Sequence, residues 1–381
     1  MKFKIILSNF IISFIIVIIL ISNVQVQAFN DSIPSLMLVE AETGEILYER
    51  NPDRQRSPAS ITKIMTLLLA MEAVEAGEIC LEDRVTVSKY ASSMGGSQIF
   101  LGAGDIISVE NLFKAVIIAS ANDASVALAE AVAGNCDEFI DAMNKRAEEL
   151  GMFSTNFTTV NGLPQKDQYT TASDIVKMSR ELIEYPEVME WGQIWMETIK
   201  LPEREAMLVN TNRLIQSYPD LDGLKTGYTR NAGFNLVATA KRADMRLISV
   251  VLGAENERQR REVTEELLDY GYENYKLEKI LNEGELFQDL ELENSSPRKI
   301  TAKISEPLLA LTERNSEEEI NYRINLQSSY DFPIEAGEKI GEVNSFVGDK
   351  VIHSVDLLAE QRVEKANIFR RFWYGILDLI S

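Results

Sequence analysis

Strand-forming sequence brackets a long helix-forming interior, and this arrangement limits the chain to folds in which distant segments share one sheet. Leu36-Met37-Leu38-Val39-Glu40 and Glu45-Ile46-Leu47-Tyr48-Glu49 flank Thr43-Gly44 and predict a β-hairpin. Residues 233–240 and 245–253 predict two further strands separated by Lys241-Arg242-Ala243-Asp244, and residues 224–228 predict the end of a third. Between them, residues 61–71 are apolar nearly all round and predict a buried helix, with Ser57-Pro58-Ala59-Ser60 leading into it. Residues 109–133 predict helices interrupted at Ser120-Ala121-Asn122-Asp123, where Asn122 or Asp123 can cap the second one. A last helix, capped by Asn256, runs through Glu262, Val263, Leu267 and Leu268. The pattern implies an α+β class: an antiparallel sheet flanked by helices, with a helical subdomain.

The two ends have other textures. Met1-Lys2-Phe3-Lys4 precedes an almost unbroken apolar run from Ile5 to Ile21, and Val24-Gln25-Val26-Gln27-Ala28 follows with small residues suited to processing. This reads as a cleaved secretory signal in preference to an uncleaved anchor, and either reading puts the remainder outside the cytoplasm. Beyond Tyr275 come short, acidic, alternating segments such as Lys299-Ile300-Thr301-Ala302-Lys303-Ile304 and Ile320-Asn321-Tyr322-Arg323-Ile324. With Gly-containing turns at Gly337 and Gly348 they predict a small all-β module. In the terminal segment Ile368, Phe369, Phe372, Trp373, Ile376, Leu379 and Ile380 share one helical face, opposite Arg370, Arg371, Tyr374 and Asp378. Such a face suits a membrane interface, with docking on the β module or a second subunit as the alternative.

Charge and rare residues narrow the chemistry. A formal net charge of −21 over 381 residues, with no basic stripe, argues against nucleic acid as a partner. Two cysteines, Cys80 and Cys136, allow at most one bridge and leave open whether they pair. The single histidine, His353, falls in the β-rich tail, so neither a Ser-His-Asp triad nor a His-ligated metal site has material to work with. A serine enzyme here needs lysine as its base.

Three short motifs supply one. Ser60-Ile61-Thr62-Lys63 places the amine one helical turn from the hydroxyl, and Lys63 can take the serine proton only if its surroundings keep it neutral. Ser120-Ala121-Asn122 offers a hydroxyl able to relay a proton to a leaving amine and a carboxamide able to hold a substrate amide. Lys225-Thr226-Gly227 reads as a strand edge where Gly227 lets a peptide approach, while Lys225 and Thr226 supply charge and a hydroxyl for a terminal carboxylate. Taken singly, these motifs read equally well as a helix surface, a capping turn and a lysine-guarded edge strand.

In this order, after a secretory signal, the three together resemble the penicillin-interacting serine acyltransferases. More narrowly, Pro58-Ala59-Ser60-Ile61-Thr62-Lys63-Ile64-Met65-Thr66, Ser120-Ala121-Asn122-Asp123-Ala124 and Asp222-Gly223-Leu224-Lys225-Thr226-Gly227-Tyr228-Thr229 resemble the low-molecular-mass D-alanyl-D-alanine carboxypeptidases. Gly96-Ser97-Gln98-Ile99-Phe100-Leu101 and Tyr169-Thr170-Thr171-Ala172-Ser173-Asp174 add to the match.

The resemblance implies a penicillin-binding/β-lactamase-like fold followed by a small all-β domain and a C-terminal amphipathic helix. The expected division is a signal peptide at 1–28, a catalytic domain at 29–275, a β-rich domain at 276–362 and a membrane-anchor helix at 363–381. It further implies a peptidoglycan stem peptide ending in D-Ala-D-Ala as substrate, β-lactams as acylating inhibitors, and no metal or organic cofactor. Ser60 is the implied nucleophile, with Lys63 as base, Ser120 as proton relay, and Asn122, Lys225, Thr226 and Gly227 binding substrate. The backbone N–H groups of Ser60 and Tyr228 are the implied oxyanion hole. Two departures stand out, since many relatives carry histidine after Lys-Thr-Gly or near Asn156-Phe157, where this chain has Tyr228 and none. The rival readings are a crosslink endopeptidase, a β-lactamase and a non-catalytic cell-wall-binding protein. No Glu lies between Gly151 and Asp174 to activate a deacylating water, which weighs against the lactamase.

Overall fold

The computed structural model describes residues 29, 32–202 and 204–370. The expected signal and the terminal helix from residue 371 onward lie outside the described residues; within them, residues 368–370 are helical.

Strands β1 (Ser35–Glu40) and β2 (Ile46–Arg50) form the predicted hairpin. A 3₁₀ turn, Ala59–Thr62, leads into α1 (Lys63–Glu75). The helical subdomain contains the small pair β3 (Arg84–Thr86) and β4 (Ile106–Ser108), the one-turn α2 (Lys89–Ser92), α3 (Val109–Ile118), α4 (Asn122–Ala133) and α5 (Cys136–Glu149). Next come α6 (Ala172–Leu182), α7 (Pro186–Gly192) and the hairpin β5 (Met196–Lys200) and β6 (Glu205–Val209). Strands β7 (Leu221–Thr229), β8 (Gly233–Arg242) and β9 (Met245–Ala254) precede α8 (Glu257–Asn274).

The central sheet has the order β2-β1-β9-β8-β7. Every pair is antiparallel, and the N-terminal hairpin is stitched to β9 with Leu36 opposite Val251 and Leu38 opposite Ser249. Sequence texture anticipates this gathering of remote segments, because β1 is buried along its whole length and β9 at every residue but Gly253. Alternate residues serve two layers. Met37, Val39, Ile248, Val250 and Leu252 join the core formed with α1, α3, α4 and α6. On the other face Leu38 and Leu247 meet α8 at Gly271, where an added Cβ would lie 3.1 Å and 2.6 Å from their methyl carbons.

Two local expectations change. Ser60 lies in a 3₁₀ turn that ends where α1 begins at Lys63, and not in a regular α-helix, because Ala59 has φ +49° and the Ile61 N–H bonds back to the Pro58 carbonyl. In 3₁₀ geometry positions i and i+3 eclipse, which brings the two side chains together more directly than an α-turn does. The helix after Ser120 begins on Ala121, which has no side chain to cap it, and Asn122 and Asp123 are occupied elsewhere. Asn256, by contrast, caps α8 as predicted, accepting from the Gln259 N–H at 2.9 Å.

Past α8, β10 begins at Tyr275 and the chain builds a second, all-β core from Leu281, Ile300, Ile304, Ile340, Val343, Val355, Leu357 and Val363. Its main sheet joins Leu286–Glu291, Lys299–Ile304, Lys350–Ala359, Lys339–Val347 and Ile320–Leu326 in that spatial order. His353 sits here, its Nδ1 accepting from the Leu309 N–H at 3.3 Å. Cys80 and Cys136 are both free thiols; burial, with Glu130 and Asp137 nearby, pushes the Cys136 thiol up to about 11.

The Gly271 contact yields a stability test. Gly271→Val, measured by thermal or denaturant unfolding, should cost about 1–3 kcal/mol because the added methyls overpack α8 against Leu38 and Leu247. An unchanged midpoint would show that the sheet accommodates them.

Candidate active site

Three elements converge on Ser60. The Asn235 carboxamide on β8 donates to the carbonyls of Ser57 and Pro58 at 3.3 and 3.2 Å, fixing the segment that carries the nucleophile. Gly227 on β7 passes so close that a Cβ there would lie 3.0 Å from the Pro58 carbonyl oxygen and 3.2 Å from the Ser60 nitrogen. From the other side Gly162, at φ +81°, leaves no room at all: a Cβ would fall 1.8 Å from the Ala59 carbonyl oxygen. Glycine at both positions is therefore a steric requirement.

Lys63 is fully buried, with Nζ 3.1 Å from Ser60 Oγ, 2.7 Å from Asn122 Oδ1 and 2.7 Å from the Asn161 carbonyl oxygen. Burial depresses its pKa well below the ordinary lysine range, Lys225 pushes the same way, and Asp123 opposes them. A neutral amine has two hydrogens and one lone pair. If the Asn122 and Asn161 oxygens take the hydrogens, the lone pair is left for the serine hydroxyl.

Asn122 is doubly committed, accepting from Lys63 and donating from Nδ2 to the Gly95 carbonyl at 2.7 Å. One N–H and one lone pair of its amide remain for a substrate. Asp123, fully buried, accepts from the backbone N–H groups of Ile99, Leu101 and Ala124, which ties the segment around Ser97 to the first turn of α4. Ser120 has φ +58° and lines the same cleft as Ser60.

The cleft is a cavity of about 680 Å³ whose walls include Ser60, Ser97, Ser120, Thr226, Gly227 and Tyr228. Trp195, Arg213 and Arg260 extend it. Lys225 is not among its lining residues: it is buried within β7, its Nζ 3.3 Å from the Thr226 carbonyl. Burial and the neighbouring Arg260 lower Lys225 to about 7. Arg260 is itself lowered to about 10 by burial; its Nη1 donates to the Asn235 carbonyl at 3.4 Å, its Nε is buried without a partner, and with Arg213 it lines the cleft.

Sequence reasoning brought Ser60, Lys63, Ser120, Asn122, Thr226, Gly227 and Tyr228 to this place and missed Asn161, Gly162 and Arg260. Arg260 had a readable signal, since it continues the buried stripe Val263, Thr264, Leu267, Leu268 one turn toward the N-terminus of α8. Asn161 contributes a backbone carbonyl, which any residue supplies.

A sheet with helices on both faces, with a serine on the cleft wall and a buried lysine of lowered pKa against its hydroxyl, defines a serine acyl-transferring hydrolase. Comparison with known proteins sharpens this: the D-alanyl-D-alanine carboxypeptidase family model matches residues 23–256, and the model for the C-terminal domain of penicillin-binding protein 5 matches residues 275–365. The chain belongs to the D-alanyl-D-alanine carboxypeptidase family. It is 36% identical over 334 residues to D-alanyl-D-alanine carboxypeptidase DacF of Bacillus subtilis, covering 87% of this chain and 86% of that protein. Penicillin-binding protein 5 from Haemophilus influenzae superposes with a TM-score of 0.77 at 30% identity, over 89% of this chain and all of the other. Penicillin-binding protein D2 from Listeria monocytogenes, solved in an ampicillin-bound form, gives 0.56 at 33% identity over 64% of this chain and 99% of its own.

The buried lysine of β7 has a measurable cost. For a lysine whose folded pKa is lowered, the penalty is full below that pKa and vanishes as pH rises to the unfolded value; for Lys225 it is on the order of 4 kcal/mol at pH 7. Lys225→Met should therefore raise the thermal midpoint at pH 7, with the gain shrinking towards pH 10, while activity falls. A gain that does not depend on pH would mean that Lys225 is not held near neutrality.

Proposed function

We propose that this carboxypeptidase removes the terminal D-Ala of a peptidoglycan stem pentapeptide through an acyl-enzyme on Ser60. The observation that carries the reading is the Lys63 amine, fully buried, in contact with Ser60 Oγ and kept from water by its neighbours. Lys63 takes the serine proton as Oγ attacks the penultimate carbonyl. The backbone N–H groups of Ser60 and Tyr228 stabilise the oxyanion, which the close passage of Gly227 beside the Ser60 nitrogen supports. Ser120 passes a proton to the departing amine, and Asn122 orients the substrate amide. Thr226 and Arg260 receive the terminal carboxylate at the cleft wall, while Lys225 acts by its charge on Lys63. Water then releases the acyl group, with Lys63 again accepting the proton.

The same serine takes β-lactams as poor substrates. The carboxylate a lactamase would need is missing from the 151–174 stretch near Ser60: Asp167 is exposed and paired with Lys166 at 3.8 Å, and Asp174 is bound to Ser154, Thr155 and Lys177.

The wider reading follows the sequence: residues 1–28 direct export, 29–275 carry the reaction, 276–362 hold it away from the membrane, and 363–381 lie on the membrane surface. Ile368 and Phe369, the first apolar residues of that last face, are 76% and 82% exposed. No described helix is long and apolar enough to cross a membrane. A chain ending at residue 362 should lose sedimentation with lipid vesicles while keeping soluble-substrate activity. Co-sedimentation equal to that of the whole chain would sink the anchor.

Labelling by a fluorescent penicillin and release of free D-alanine from a pentapeptide should both disappear in Ser60→Ala, a drop of roughly 10⁴-fold or more. Acylation in the wild type should rise with pH through the lowered pKa of Lys63, because only the neutral amine can take the proton. Equal labelling of Ser60→Ala would overturn the assignment, and cleavage of a crosslinked dimer in preference to the pentapeptide would favour an endopeptidase.

A further inference from the structure

The carbonyl of Asn161 is held on Lys63 by a turn that has no charge and no catalytic group of its own. Within it, the Thr159 hydroxyl accepts from the Gly162 N–H at 3.0 Å, closing a tight loop with Asn161 inside. The Asn161 carboxamide is also fixed, its Oδ1 accepting from the Leu163 N–H at 3.0 Å. Next to it the Val160 carbonyl accepts from Thr66 Oγ1 at 2.6 Å, so two successive carbonyls of the turn face α1.

What organises the turn lies further along the chain. Gln168 is 9% exposed, and its Oε1 accepts from the Thr158 N–H at 3.2 Å, the Thr158 hydroxyl at 3.0 Å and the Thr159 hydroxyl at 2.8 Å. Because the Thr159 proton points at Gln168, its lone pairs are free to receive the Gly162 N–H. Gln168 Nε2 reaches Thr62 Oγ1, at 3.4 Å, inside the turn that carries Ser60 and Lys63. One buried amide thus connects the turn that supplies the acceptor to the turn that supplies the amine, by a chain in which each hydrogen bond orients the next.

We infer that Gln168 is a positioning residue for the general base, holding the 158–162 turn so that the Asn161 carbonyl takes one Lys63 hydrogen and the amine lone pair is aimed at Ser60. This rests on Lys63 being the base. Gln168 touches neither substrate nor nucleophile; without it the Thr159 hydroxyl can rotate, Gly162 N–H loses its acceptor, and the Asn161 carbonyl drifts. Misplacement of a reacting group by about 1 Å is worth ~10²-fold in rate.

The test is acylation of the full-length chain by a fluorescent penicillin, with concentration dependence separating the first-order acylation step from the preceding binding constant, over pH 5 to 10. Gln168→Ala should slow the acylation step by roughly 10–100-fold with the binding constant little changed. Its acid limb should also move to lower pH, because the ammonium form loses an acceptor that stabilised it. Thr159→Val, which removes the hydroxyl that joins Gln168 to Gly162, should reproduce the loss. A folded Gln168→Ala with the wild-type rate and pH profile overturns the inference. Should Gln168→Ala not fold, normal acylation by a folded Thr159→Val overturns it equally. Lys63→Met separates the two layers: undiminished acylation there would remove the base assignment itself, while an inactive Lys63→Met beside a normal Gln168→Ala removes only the role of Gln168.

Discussion

Everything at this site depends on keeping one amine out of water. Lys63 has no accessible surface, and taking an ammonium into such a place without partners costs several kcal/mol. The amine is held between the Asn122 and Asn161 oxygens, and a second buried lysine, Lys225, makes a charge at Lys63 costlier still. Asp123 works against this, and its carboxylate is largely consumed by backbone N–H groups. The balance holds Lys63 well below the ordinary lysine range.

Meeting that requirement determines where the backbone is strained. Ala59 at φ +49° and Ser120 at φ +58° adopt a left-handed conformation that an L-residue takes at a cost of about 1 kcal/mol or more. Both stand next to a residue the site uses, Ser60 in one case and Asn122 nearby in the other. The packed surroundings over-determine these conformations: Asn235 clamps one side of the first and Gly162 leaves no slack on the other. The sheet topology stands behind this. β7 and β8 come from late in the chain, yet they hold residues 57–60 because β1 and β9 have already brought the two ends of the domain into one sheet.

Much of this was legible in the residues. The alternating and continuous apolar runs located β1, β2, β8 and β9, and the fully apolar α1 announced a central helix whose first residue is the base. Motif spacing brought Ser60, Lys63, Ser120, Asn122 and Thr226 together, because side-chain chemistry leaves a mark in sequence. What stayed hidden is either backbone or context. The Asn161 carbonyl is common to every residue type, the 3₁₀ geometry at Ser60 follows from a left-handed alanine no propensity favours, and the burial of Lys225 is set by tertiary packing that its strand sequence does not reveal. Asn122 and Asp123 looked like helix caps because those residue types usually are; here the lysine and the Ile99–Leu101 backbone compete for the same oxygens and win.

The arrangement also explains why a peptide and a penicillin should part ways after acylation. A departing D-alanine leaves the cleft, vacating the space near Ser120, Thr226 and Arg260, so water can approach the ester along the path the amine took. A β-lactam's leaving nitrogen stays tethered to the acyl group and keeps that space filled. An enzyme with a second water-activating carboxylate could bring water by another route, but here the loop against Ala59 and Lys63 presents the Asn161 carbonyl, already bound to Lys63, and Gly162 pressed against the Ala59 backbone. The loop beside Ser60 thus offers a carbonyl committed to Lys63 where the proposed function has no use for a second base, and the two carboxylates of the 151–174 stretch are spent elsewhere.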